Sequence, residues 1–319
     1  MNLYRTARVV ASASGNGAID WAAAADAAKS ATPPGAIDLE PGERDGYRRD
    51  VRAARAGIER VTAIDVDLPD AVQIQNRHHW IDANVETFGR VMSPVERHVG
   101  GFPQLSRTIN TGTMTVLLSY LGRNVLGQYD PLLLAERPDR AHALYFVRPN
   151  IVRVAEELSI DYDRFRRWIA FHEVTHAAEF STAPWLTDHL ERHVEAGIES
   201  LSTGSFDTDA LRTLDTAMTV VEGYAELLMD HAFDDEYADL RRKLDERRSG
   251  GSPLQRLVRR LLGLGLKRRQ YERGKRFFET VAERRDLAFA SRVWEGPDRL
   301  PTTTELDDPV AWIDRLEST

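Results

Sequence analysis

The 319-residue sequence contains no cysteine. That excludes disulfides and thiolate ligands, so any metal must be held by His, Asp or Glu. Lysine is scarce too. It stands only at 29, 243, 267 and 275, and arginine carries nearly all the positive charge. With a formal net charge of −8, this bias fits GC-rich coding or a salty cytoplasm. No apolar run approaches the ~18 residues that a membrane span needs. Residues 1–15 lack a basic stretch followed by a long apolar core. No signal peptide is therefore read, and the expected compartment is the cytoplasm. Neither a Gly-rich phosphate loop nor a nucleophile elbow occurs, so no organic cofactor is expected. Internal repeats are also missing. What remains is the balance of a globular protein, 42% hydrophobic and 29% charged, long enough to bury a substantial core.

Helical periodicity dominates. Helices are expected over 20–29, 43–66, 70–99 and 111–126, the last followed by Gly127-Gln-Tyr-Asp-Pro131. One strand signal stands out, Ala143-Leu-Tyr-Phe-Val147. Pro149 ends it, and Asn150 is expected to cap a helix over 151–158. Asp161 should cap the next helix, which runs past residue 180. Further helices are expected over 185–201, 208–233 and 254–285, and near Trp312. The class is mainly α with a small β element. A single domain over 1–319 is expected. Within it, 1–42 is read as a loosely packed N-terminal segment, 249–253 as an internal linker and 254–319 as a C-terminal helical region.

His172-Glu173-Val174-Thr175-His176 lies inside the helix that Asp161 opens. Two histidines four apart project from one helix face, one turn above the other, and can share one metal ion. Glu173 lies beside that face, where it can hold a water at the metal. This is the H-E-x-x-H pattern of zinc hydrolases. A catalytic zinc takes three protein ligands and leaves a position open. The best third ligand is Glu222, in Val220-Val-Glu-Gly-Tyr-Ala-Glu226, because the following glycine lets another backbone come close. Glu226 and Asp230 follow at four-residue steps and are expected to accept from the N–H of a ligand histidine. Zinc lowers the pKa of bound water to about 7 and polarises a carbonyl. Glu173 would take the proton of that water and pass it to a leaving amine. Tyr224 or His231 could stabilise the transition state. The strand over 143–147 could pair with an extended substrate or be an ordinary core strand.

Other histidines and charges read more blandly. His189 and His193 are also four apart, but they are taken as surface residues. The adjacent His78 and His79 point in different directions and are read as packing or capping residues. A di-iron site would need a second E-x-x-H copy, and none occurs. The basic tract over 241–276 is read as the solvated side of amphipathic helices rather than a surface for nucleic acid or lipid.

Segments spread along the chain resemble a zincin-like (type 2) metallopeptidase family labelled as associated with biosynthesis of the deazaflavin coenzyme F-420. They are Asn76-Arg-His-His-Trp-Ile-Asp-Ala-Asn84, Val125-Leu-Gly-Gln-Tyr-Asp130, Leu144-Tyr-Phe-Val-Arg-Pro-Asn150 and Trp168 through Phe180. Further matches are Pro184-Trp185, Glu222-Gly-Tyr-Ala-Glu226, Met229-Asp230, Gly263-Leu-Gly-Leu-Lys267, Leu300-Pro301, Asp308-Pro309 and Trp312. The resemblance implies a mainly helical zincin-like fold. It also implies one Zn2+ per chain on His172, His176 and Glu222, with Glu173 catalytic. One departure is that the family usually has His where this chain has Tyr224. The implied function is a zinc-dependent metallopeptidase or hydrolase attacking a peptide or small amide bond. The alternative is a non-catalytic zinc-binding structural or regulatory protein linked to deazaflavin coenzyme metabolism.

Overall fold

Every side chain of Ala143-Leu-Tyr-Phe-Val147 is apolar, without the alternation of a half-exposed strand, and all five are buried. In the computed structural model they form the centre of a three-stranded sheet. The structure describes residues 17–62, 64–69, 71–98, 103–130, 143–202, 208–233, 239–244 and 264–318. In chain order the elements are α1 (Trp21–Ala31), α2 (Glu43–Thr62), β1 (Ala71–Gln75), α3 (Arg77–His98), α4 (Pro103–Asn124), β2 (Gly127–Asp130) and β3 (Ala143–Val147). Then come α5 (Arg148–Leu158), α6 (Tyr162–Thr182), α7 (Trp185–Ser202), α8 (Thr208–Ala232), α9 (Leu264–Arg284), α10 (Leu287–Ser291) and α11 (Pro309–Glu317). The fold is mainly α with one small sheet. Among the described residues, no helix is long and apolar enough to cross a membrane.

The chain forms two compact units from interleaved segments. One comprises 1–44, 69–154 and 191–210, and the other 45–68, 155–190 and 211–319. The first unit holds the sheet. β1 pairs parallel with β3, Ala71 opposite Ala143, and β2 pairs antiparallel, Gly127 opposite Phe146. Both edges of β3 are therefore filled, so it is a core strand and has no free edge for a substrate. β1 replaces the expected start of a helix at 70, and β2 is a strand where no element was expected. Asn76 ends β1's run by accepting from the His79 N–H, which opens α3. Nor does Asn150 cap a helix, since α5 already begins at Arg148. Its side chain instead accepts from Arg77 Nε at 2.7 Å and donates to the carbonyls of Gly122 and Val125. The stretch expected to be loosely packed carries α1, whose Ala24, Ala25 and Ala28 pack against Trp80, Ile81, Leu118 and Val147. Small side chains bring that helix close to its neighbours.

The second unit is built around α6. Asp161 caps it as expected, accepting from the Arg164 N–H at 2.9 Å. From Phe165 to Glu179 its side chains are buried on nearly every side, the signature of a helix inside a core. α2 lies against it. Arg166 donates to Asp50 at 2.6 Å, and its guanidinium sits over the rings of Tyr47 and Tyr162. α8 and α9 touch backbone to backbone at Gly223 and Gly274. A Cβ on Gly223 would stand 2.5 Å from Gly274 Cα, and one on Gly274 would fall on the Thr219 carbonyl oxygen. A cluster of edge-to-face rings, Tyr224, Phe278, Trp294, Phe277 and Trp312, fills the space behind this crossing. The expected linker at 249–253 and most of the basic tract lie outside the described residues.

Alanine ordinarily stabilises a helix interior relative to glycine by roughly 0.5–1 kcal/mol. At Gly274 the sign should reverse. Gly274→Ala forces α8 and α9 apart and should cost about 1–3 kcal/mol, read from the denaturant midpoint. A gain in stability would show that the crossing has slack.

Candidate metal centre

Three side chains from two helices converge in the second unit. α6 supplies His172 and His176, and α8 supplies Glu222. One ligand atom of each lies within 4.8 Å of the other two. Among the described residues no other group of His and carboxylates forms such a set. The two imidazoles meet edge to face, with ring centroids 4.7 Å apart. Their Nε2 atoms stand 3.3 Å from each other, and His176 Nε2 lies 4.0 Å from Glu222 Oε2. Two nitrogens on a tetrahedral zinc, each at ~2.0–2.1 Å, would be about 3.3 Å apart. Glu222 Oε2 is buried and has no hydrogen-bond partner. A buried carboxylate oxygen left in this state costs free energy unless a cation meets it. The donor set therefore fits a zinc ion.

Neighbouring contacts hold each histidine in place. His172 stacks on Trp168, centroids 5.7 Å apart and planes 11° from parallel, and Trp168 stacks in turn on Phe165. His176 Nδ1 lies 2.8 Å from Glu179 Oε2, one turn along the same helix. Burial works against the imidazolium of His176. The charge and hydrogen bond of Glu179, with further help from the charges of Glu222 and Glu173, outweigh it and lift the group to about 9. Burial pushes Glu179 itself upward. Glu173, Glu179 and Glu222 are all nearly inaccessible to solvent, so three carboxylates share an interior with two histidines.

The other residues singled out in the sequence go elsewhere. Glu226 lies 3.1 Å from Arg241 Nη2, and Asp230 pairs with Arg241 at 2.8 Å and Lys275 at 2.7 Å. The carboxylate on His176 is thus Glu179, not Glu226 or Asp230. Tyr224 is buried, and its hydroxyl donates to Ser291 Oγ at 2.7 Å. Burial, together with the nearby Glu179 charge, holds the phenol well above the ordinary tyrosine range. Its ring packs between Phe278 and Trp294, which is a structural setting. His231 is exposed and turns Nδ1 to the Leu227 carbonyl. His189 is not a surface residue, since it is buried edge-on to Trp185; His193 is half-buried. His78 bonds the Thr32 carbonyl at 2.7 Å, which is a packing role. Within the basic tract, Arg241, Arg273 and Lys275 each meet carboxylates.

Glu179 is the residue that the sequence reading missed. Its signal was present, since positions three apart on a helix are neighbours and His176 and Glu179 have that spacing.

The family model for zincin-like metallopeptidases matches residues 19–207 and 198–313. A solved structure from Chloroflexus aurantiacus, described as a candidate hydrolase with a novel fold, is also similar. The similarity covers 94% of this chain and 99% of that one, at 30% identity and a TM-score of 0.79. No curated protein matches.

Because His176 carries a proton below about pH 9, an arriving metal must displace it. Metal affinity should therefore fall as pH falls, by as much as about tenfold per unit through the neutral range. Competition against a chelator at a series of pH values measures this; a flat profile would contradict it. In the same assay Glu222→Gln should weaken the metal, and unchanged affinity would remove Glu222 from the ligand set.

Proposed function

The chain belongs to the zincin-like metallopeptidase family, and we propose that it is a zinc-dependent hydrolase of peptide or small amide bonds. The observation that carries this reading is the convergence of His172, His176 and Glu222 with the buried Glu173 next to them. A zinc ion held there would supply Lewis acidity, making a water acidic and polarising a substrate carbonyl. The chain's own residues do the rest. His172 and His176 present Nε2 from a helix that cannot shift without disturbing the core. Glu222 adds a negative ligand and limits the net positive charge of the centre. Glu173 takes the proton from the attacking water, holds it on its carboxylate, and delivers it to the departing amine.

Glu173 also separates this reading from a purely structural or regulatory zinc site. A site that only holds the fold together has four protein ligands and no use for a base. Here three ligand side chains converge, and the charge of a fourth, non-ligating glutamate is felt at His176.

The test starts from zinc-loaded protein screened against a peptide and amide library. On any hit, Glu173→Gln should keep one zinc per chain and lower kcat by roughly 10²-fold or more. Unaltered turnover would take Glu173 out of the proton-transfer role. A tightly held zinc with four protein ligands would favour the structural reading.

A further inference from the structure

Glu179 is fully buried, and one oxygen of its carboxylate approaches a single group, His176 Nδ1 at 2.8 Å. The other oxygen is also buried and has no hydrogen-bond partner. Keeping a carboxylate in this state is costly, and the one interaction shown for it is with the imidazole. A carboxylate can only accept. Opposite it, Nδ1 must carry the proton, which in the neutral ring leaves a lone pair on Nε2. That Nε2 faces His172 Nε2 at 3.3 Å and Glu222 Oε2 at 4.0 Å. We propose that Glu179 is a positioning residue: it fixes His176 as the Nδ1–H tautomer and aims its Nε2 lone pair at the point shared with His172 and Glu222. The inference rests on the metal reading given above.

The two histidines are thus held by different means. His172 is oriented by the flat face of Trp168, which sets the ring plane but selects no tautomer. His176 is held through its nitrogen, which sets both plane and tautomer. The hold on His176 depends on a proton, so it can be altered by changing acceptor chemistry at constant shape.

Two variants test this, Glu179→Gln and Glu179→Met. Zinc affinity would be measured by competition with a fluorescent chelator, the His176 tautomer by nitrogen NMR on metal-free protein above about pH 9, where the ring is neutral, and the thermal midpoint of the metal-free form by calorimetry. Affinity should fall about tenfold or more in Glu179→Met. It should fall less in Glu179→Gln, whose amide oxygen can still accept. The metal-free tautomer should become mixed in Glu179→Met, while the metal-free protein still unfolds in one cooperative transition. Affinity within about twofold of wild type in both variants, with an unchanged tautomer, would overturn the proposal. So would an affinity loss matched by collapse of the metal-free fold. Wild-type protein that takes up no zinc would end the metal reading itself, while the tautomer measurement would still decide what Glu179 does to His176.

Discussion

Three buried carboxylates around two histidines are the constraint on which the second unit depends. Glu173, Glu179 and Glu222 lie in an interior where unpaired charge is expensive. Each must be met by a proton, a hydrogen bond or a cation. Glu179 is met by His176. At Glu222 the buried oxygen has no hydrogen-bond partner, and His176 Nε2 stands 4.0 Å away. The surrounding architecture holds this imbalance in place. α6 is buried on nearly all sides, Trp168 and Phe165 stack behind His172, and the aromatic cluster around Tyr224 fixes α8. Two further carboxylates on α8 are answered by cations outside the centre, Arg241 and Lys275. The charge on the helix is thus divided, with Glu226 and Asp230 compensated and Glu222 held in reserve.

Much of the site was legible because helical geometry is rigid. Two histidines four apart on a buried helix must share a face, and a glutamate followed by glycine on a second apolar helix was a natural third ligand. The misreadings came from extending that geometry too far. Steps of four residues advance a helix by 400°, so each step drifts about 40° around the axis and climbs about 6 Å. From Glu222 to Asp230 the drift is roughly 80°, enough to turn the last carboxylate toward solvent and the basic side chains there. The carboxylate that meets His176 lies on its own helix at three residues' spacing, not on a second helix. In the fold, β1 was hidden because its two apolar positions, Val72 and Ile74, each followed by a glutamine, lie in a stretch that runs straight into α3. Five residues are too few for period two to stand out. β2 is shorter still and only half-buried, so it left no apolar pattern to read.

Several segments that carry the family likeness lie far in sequence from the metal motif, and their contacts explain their composition. In the first unit Trp80 donates to Gln128, Gln128 donates to Asn84, and Asn84 donates back to the Trp80 carbonyl. This closed loop ties α3 to β2. Arg77 bonds Asn150 and the carbonyls of Pro33 and Pro149, joining the start of α3 to the segment after α1 and to the start of α5. Near the C-terminus Trp312 donates to the Arg299 carbonyl, and Arg315 clasps Glu305 with both ends of its guanidinium. These polar side chains satisfy buried backbone and one another. Their residue types follow from hydrogen-bond geometry rather than from chemistry on a substrate.

The glycine crossing has a consequence for how the protein is made. α8 carries Glu222, yet the backbone it leans on, at Gly274, is some fifty residues further along the chain. During synthesis the two histidines leave the ribosome well before that support exists. The histidine pair is synthesised early, but Glu222 gains its backbone support only when α9 arrives. The convergence of the three side chains therefore belongs to the finished protein rather than to the motif that first announces it.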